Sequence, residues 1–154
     1  MKMGYIEDIR TKLGHDTLIL VGVNVLIHKD GQILLQQRMD NGRWGIHGGC
    51  KELGETTEQT ARRKLYEETG LTAHSLTLMG VYSGANMRHT YPNGDNVEVV
   101  AVVYLCDDFS GELRPQQEEV RALRWFPVDA LPENITPVDA RAIADFVTTM
   151  HNGQ

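Results

Sequence analysis

A chain of 154 residues, 41% hydrophobic and 23% charged, is long enough to bury a real core in one domain and has the composition of a soluble globular protein. Its net charge of −6 argues against a partner such as extended nucleic acid, which is held over a broad basic surface, but not against a small anionic ligand that needs only local positive charge. No apolar run reaches the ~18 residues of a membrane span, and no membrane partner is expected.

The opening MKMGYIEDIRTKLGHD carries acids and lacks a continuous apolar stretch, so it does not read as a signal peptide. A short helix is predicted over residues 3–13. TLILVGVNVLIH, Thr17 to His28, is rich in Leu, Ile and Val and reads as a strand. KDGQ is a turn in which Asp30-Gly31 suits positive φ, and ILLQQR is the returning strand. Residues 39–49 read as a loop containing NGRWGIHGG. A helix follows from Thr57 to Thr69, with capping-box spacing between Thr56 and Gln59 and with Gly70 at its end. SLTLMGVYSG and NVEVVAVVYLCDDF read as two strands, separated by a long loop from Gly84 to Asn96 with a turn at Asn93-Gly94. RALRWFPV is a further strand. TPVDARAIADFVTTM closes the chain as a helix, with Thr136 at the N-cap and Pro137 at the first helical position. Interleaved helices and strands predict an α/β fold with a mixed sheet covered by helices on both faces. Residues 1–154 read as a single domain without repeats or linkers, and a cytoplasmic location is expected.

The helix over 57–69 is unusual for its narrow apolar side, Leu65 backed by Ala61. At about 100° per residue, Lys64, Glu67 and Glu68 share one face. Two neighbouring carboxylates can serve one cation cluster, since Mg²⁺ takes oxygen ligands and keeps several waters. The charge pattern alone favours the other reading, a solvated helix with i,i+4 ion pairs.

The segment GGCKELGETTEQTARRKLYEETGL closely resembles the Nudix box, G-x5-E-x7-R-E-U-x-E-E-x-G-U, where U is a bulky aliphatic residue. Gly49, Glu55, Arg63, Leu65, Glu67, Glu68, Gly70 and Leu71 match, which is eight of nine specified positions. Lys64 alone departs, standing where the family has Glu. Upstream, WGIHGG resembles the family's W-x-x-P-G-G, with His47 in place of proline. The resemblance extends over residues 17–132.

It implies a Nudix-type α/β/α sandwich with a central mixed β-sheet. It also implies Mg²⁺- or Mn²⁺-dependent hydrolysis of a nucleoside diphosphate linked to another moiety. Glu67 and Glu68 would be metal ligands with the Gly48 carbonyl. Glu55 and Arg63 would pair and orient the helix. A late-loop acid is expected from Glu118 or Glu119, with Glu119 preferred. Family members often dimerise, so a homodimer is open. Substrate contacts are expected from Arg88, His89 and Tyr91 in the long loop, which equally reads as an exposed hairpin. His47 could touch a phosphate or simply fill the proline's place. Trp44 reads as packing, and no signal marks Cys50 as a nucleophile.

Lys64 divides the functional reading. A protonated lysine can be neither metal ligand nor general base, and a fixed cation beside Mg²⁺ weakens its binding. Held by Glu67 and Glu68, it would stand in for one metal. The two readings are a metal-dependent pyrophosphohydrolase, and a nucleotide-binding or sensor module on the same fold that has lost hydrolysis. ADP-ribose-like sugars, oxidised nucleoside triphosphates and dinucleoside polyphosphates all remain open as substrates.

Overall fold

The computed structural model describes residues 4–153. Its elements run α1 (Tyr5–Leu13), β1 (Leu18–Lys29), β2 (Gln32–Arg38), β3 (Trp44–Gly45), β4 (His47–Cys50), α2 (Thr57–Thr69), β5 (Thr72–Ala73), β6 (Thr77–Tyr82), β7 (Arg88–Thr90), β8 (Asn96–Cys106), β9 (Phe109–Ser110), β10 (Val120–Pro127) and α3 (Pro137–Gly153), with a 3-10 turn at Ala85–Met87. The helix predicted over residues 3–13 is α1; Met3 lies outside the described residues.

The central sheet runs β10-β2-β1-β8-β6, with β3 paired to β2, β4 to β1 and β7 to β8. The β1–β8 pairing is parallel and runs from Leu18↔Val97 to Ile27↔Cys106, while its neighbours are antiparallel, so the sheet is mixed as the sequence predicts. Two hydrophobic clusters form on it. One joins Leu26, Ile33 and Leu35 to Ala142, Ile143 and Phe146 of α3. The other joins Val23, Val25 and Leu34 to Ala61 and Leu65 of α2. The alternation along β1 and β2 sends successive side chains to opposite helices, which is how strands buried on both faces stay apolar throughout.

Three expectations are corrected. The loop over 39–49 contains β3 and most of β4; these short strands carry three Gly residues and little β-propensity, and the ladder with β1 and β2 holds them instead. The strand ending in CDDF stops at Cys106, and Phe109–Ser110 pairs separately with β5. The loop over 84–96 is not an open hairpin loop: Arg88–Thr90 pairs with the start of β8.

Candidate active site

α2 begins with a complete capping box, Thr56 accepting from the Gln59 N–H at 3.1 Å and the Gln59 side chain accepting from the Thr56 N–H at 2.8 Å. It ends on Gly70 in the left-handed region, φ 80°. The inward stripe of this helix is Ala61, Leu65 and Glu68, so a carboxylate takes the place of the next aliphatic residue. Glu68 is 4% exposed, and its Oε1 accepts from the Gly48 N–H at 3.0 Å. Burial pushes its carboxyl up to about 7. Lys64, the Gly48 N–H and the Gln36 amide oppose that rise, and nearby Glu119 adds to it.

The Gly48-Gly49 stretch of β4 is closely covered, and Gly48 is needed for space. A Cβ on Gly48 would strike Asn24 and the Val23 carbonyl, and one on Gly49 would strike the stem of Lys64. The loop carrying Glu118 and Glu119 is pinned beside α2. Arg114 N–H donates to the Thr69 carbonyl at 2.7 Å, and Met39 N–H donates to the Glu119 carbonyl at 2.9 Å.

Arg63 grips Glu55 with two bonds, Nε to Oε2 at 2.6 Å and Nη2 to Oε1 at 2.9 Å. Those bonds, with help from the Glu52 N–H and the Thr60 hydroxyl, hold the Glu55 carboxyl down at about 2. Glu67 is half-exposed and drawn to two cations, Arg63 at 3.4 Å and Lys64 at 3.6 Å. Among the described residues, no three His, Cys, Asp or Glu side chains are gathered closely enough to hold a metal ion as they stand.

Glu68, Glu118, Glu119, Lys64, Gly48 and Gly49 line one cleft of about 690 Å³, and Gly4, Ile6 and Glu7 of the α1 region form part of its wall. A smaller pocket of about 140 Å³ shares Gln36, Arg38, Gly48 and Tyr91 with it and reaches His89, Thr136 and Asp139. Burial pushes the Asp139 carboxyl up to about 7; its Oδ2 accepts from the Ile46 N–H at 3.1 Å.

The structure thus brings Gly48, Glu68 and Glu119 together, with Glu67, Arg63 and Glu55 along one side. Tyr91 lines both cavities, but Arg88 lines neither and pairs with Glu98 at 2.9 Å. His47 is fully buried, so it cannot touch a phosphate; its Nδ1 lies 2.7 Å from Gln36 Oε1 and its Nε2 3.0 Å from the Leu34 carbonyl. Burial lowers the ring to about 4, leaving it neutral at pH 7. Trp44 packs in the core against Phe126, as expected. Sequence reasoning passed over Gln36, Arg38 and Asp139. The first two end an otherwise apolar strand, where polar residues facing the box were the available signal, whereas Asp139 sits in the first turn of α3, where an acid is unremarkable.

The NUDIX domain description matches residues 18–146. The chain belongs to the NUDIX family. Relatives in the family include a MutT-like protein of Streptomyces ambofaciens, 32% identical over 79% of this chain and 71% of its own length. The ADP-ribose pyrophosphatase of Methanocaldococcus jannaschii is 34% identical over 73% of this chain and 64% of its own. The NAD-capped RNA hydrolase NudC of Vibrio cholerae is 32% identical, but this chain spans only 41% of it. A crystal structure of a MutT NUDIX hydrolase from Burkholderia pseudomallei superimposes with a TM-score of 0.71 at 34% identity, covering 82% of this chain and 97% of that one.

Proposed function

We propose that this NUDIX chain is a pyrophosphohydrolase that cleaves the anhydride linkage of a nucleoside diphosphate derivative with Mg²⁺ or Mn²⁺. The observation that carries this reading is the placement of Glu68 and Glu119 on one cleft with Gly48 and Gly49 of β4. The donor set is all oxygen, and Mg²⁺ is commonly held by one or two carboxylates plus substrate phosphates, so these residues fit a hard divalent ion. Glu68, Glu119 and the Gly48 carbonyl would hold it, with Glu67 joining on release from its cations. A bound ion supplies neutralisation of phosphate charge and a water of lowered pKa.

The chain's own residues do the rest. Arg63 and Glu55 tie the start of α2 to the preceding loop and set the helix against β4. Arg38, which lines both cavities, adds positive charge beside the phosphate path. The smaller pocket, bordered by His89, Tyr91 and Asp139, takes the ring end of the nucleotide. Names of relatives support an ADP-ribose-like substrate or an oxidised purine nucleoside triphosphate.

The second reading, a binding module without hydrolysis, draws support from Glu67 being occupied by Arg63 and Lys64. Phosphate release from a panel of nucleoside diphosphate derivatives, with Mg²⁺ and with Mn²⁺, separates the two. Under the hydrolase reading, Glu68→Gln removes most turnover, and Glu119→Gln slows it much more than Glu118→Gln. No release from any substrate by the wild type, with retained nucleotide binding, would establish the module instead.

A further inference from the structure

α1 walls the large cleft, yet it is not rooted there by packing. None of its residues is buried, while Ile6 and Glu7 of its first turn, with Gly4 before them, border the cavity. A helix without a buried face takes little stability from its neighbours, and such elements open locally long before a domain unfolds. What holds α1 is polar and sits at its two ends.

The C-terminal end is tied firmly. Arg10 Nη1 donates to the Gly14 carbonyl at 2.9 Å and to the Asp16 carbonyl at 2.5 Å, and its Nη2 donates to the Asn96 carbonyl at 2.6 Å. His15 Nδ1 lies 2.7 Å from Asp95 Oδ1, and the Asn96 N–H donates to the His15 carbonyl at 3.3 Å. The turn gripped in this way carries Tyr91, Pro92 and Asn93, which also border the cleft. Gly14, at φ 63°, ends the helix with nothing packed against its α-carbon.

The N-terminal end hangs on one exposed bond. A helix start has orphan N–H groups to satisfy, and Gly4 at the N-cap has no side chain to offer them. Glu52, from the loop between β4 and α2, does it instead: its Oε1 accepts from the Tyr5 N–H at 2.9 Å. A carboxylate also suits the positive end of the helix dipole. Glu52 is itself fixed, since its N–H donates to Glu55 Oε1 at 3.0 Å and its carbonyl accepts from the Glu55 N–H at 3.2 Å. The clasp on α1 therefore stands on the same Glu55–Arg63 framework that sets α2.

We propose that α1 is a lid on the cleft, pivoting at its Arg10 end and released where Glu52 clasps its first turn, so that opening admits a ligand to the floor around Cys50, Lys64 and Glu68. The inference rests on the reading of this cleft as the substrate site, but its test needs neither metal nor turnover.

Amide exchange followed by NMR reports the helix, and labelling of Cys50 with a bulky maleimide, mapped by mass spectrometry, reports access to the cleft that this thiol borders. In the wild type, the Asp8 and Ile9 amides should exchange by an opening that low urea leaves unchanged, while those of Val23 and Val25 follow global unfolding. Glu52→Ala should speed the α1 amides and Cys50 labelling together by roughly fivefold, the size of losing one helix cap. Val23, Val25 and the anchored Asn96 amide should keep their wild-type rates. If the wild-type α1 amides exchange only along with those of β1, α1 is a fixed wall and the lid is wrong. Faster α1 exchange with unchanged Cys50 labelling would show that the helix moves without admitting anything, which also overturns it. Lost protection at Asn96 would remove the Arg10 end as pivot. A lid that passes these tests over a cleft that releases phosphate from no substrate would sink the hydrolase reading and leave the lid standing.

Discussion

At the scale of single residues, Lys64 and Asp139 carry the sharpest consequences. Lys64 lays its stem over Gly49 and its ammonium 3.6 Å from Glu67, so it neutralises an acid that the proposed metal site would need. Lys64→Glu removes that cation and adds a possible ligand. Mn²⁺ affinity should rise, and turnover should rise by about tenfold if ~1.4 kcal/mol of barrier is recovered. The metal-free variant should lose a few tenths of a kcal/mol from like-charge neighbours at i,i+3 and i,i+4, seen in urea denaturation. If Lys64→Glu leaves turnover unchanged and Lys64→Ala lowers it, the lysine is a phosphate contact and the handicap idea is wrong. Asp139 makes a pH prediction. Its folded-state pKa of about 7 lies above the ordinary 3.8, so the folded protein binds the proton more tightly than the unfolded chain. Stability from this group is full below about pH 4 and is lost as pH rises through 7. Asp139→Asn mimics the neutral acid and keeps an acceptor for the Ile46 N–H. It should therefore raise the melting temperature relative to wild type at pH 8, with the gain gone at pH 4. An equal offset at both pH values would show that the carboxyl is not the titrating group.

At the scale of elements, α2 is the piece on which the site depends, and its start is the most exposed to disruption. Thr56→Ala removes the side-chain half of the capping box, leaving the Thr56 N–H bonded to Gln59, and should destabilise the protein by roughly 1 kcal/mol, within a range of about 0.5–2, read as a shift in the urea midpoint at unchanged slope. No shift would mean that packing of Ala61 and Leu65 alone fixes the helix start. This helix was also the most legible element. Its cap and its closing glycine lie within one short window, so the helix could be read from spacing, while the candidate site around Glu55, Arg63, Glu67 and Glu68 came from the resemblance to the Nudix box. β3 and β4 could not, because Gly45, Gly48 and Gly49 have no local preference for a strand and are held only by partners far away in sequence. The same distance hid Gln36 and Asp139. Their role depends on which cavity they face, and no periodicity encodes that. Glu119 lies on the cleft because backbone bonds tie its loop to Thr69 at the end of α2 and to Met39 after β2, again a tertiary fact.

At the scale of the whole molecule, the two faces of the sheet carry separate cores, and the chain's two tryptophans divide between them: Trp44 lies in the α3 cluster and Trp125 packs against the α2 cluster. Both cores share β1 and β8, whose parallel partners are roughly 80 residues apart in sequence. Bringing such partners together carries a loop-closure penalty of about 4 kcal/mol beyond a constant before any contact rewards it. A chain emerging from the ribosome therefore holds the apolar β1 and β2 hairpin without its main partner until Cys106 has been made. Folding should be slow for the protein's size, in the range of milliseconds to seconds set by non-local pairing. Two variants with one tryptophan each, Trp44→Phe and Trp125→Phe, report the two faces independently in stopped-flow fluorescence. Equal refolding rates, after allowing for each variant's own stability, are expected if the β1–β8 union gates both cores at once. A face that became native well before the other would show that half the domain assembles without that union. The strand that joins the two cores is thus also the one whose apolar faces wait longest for a partner as the chain is made.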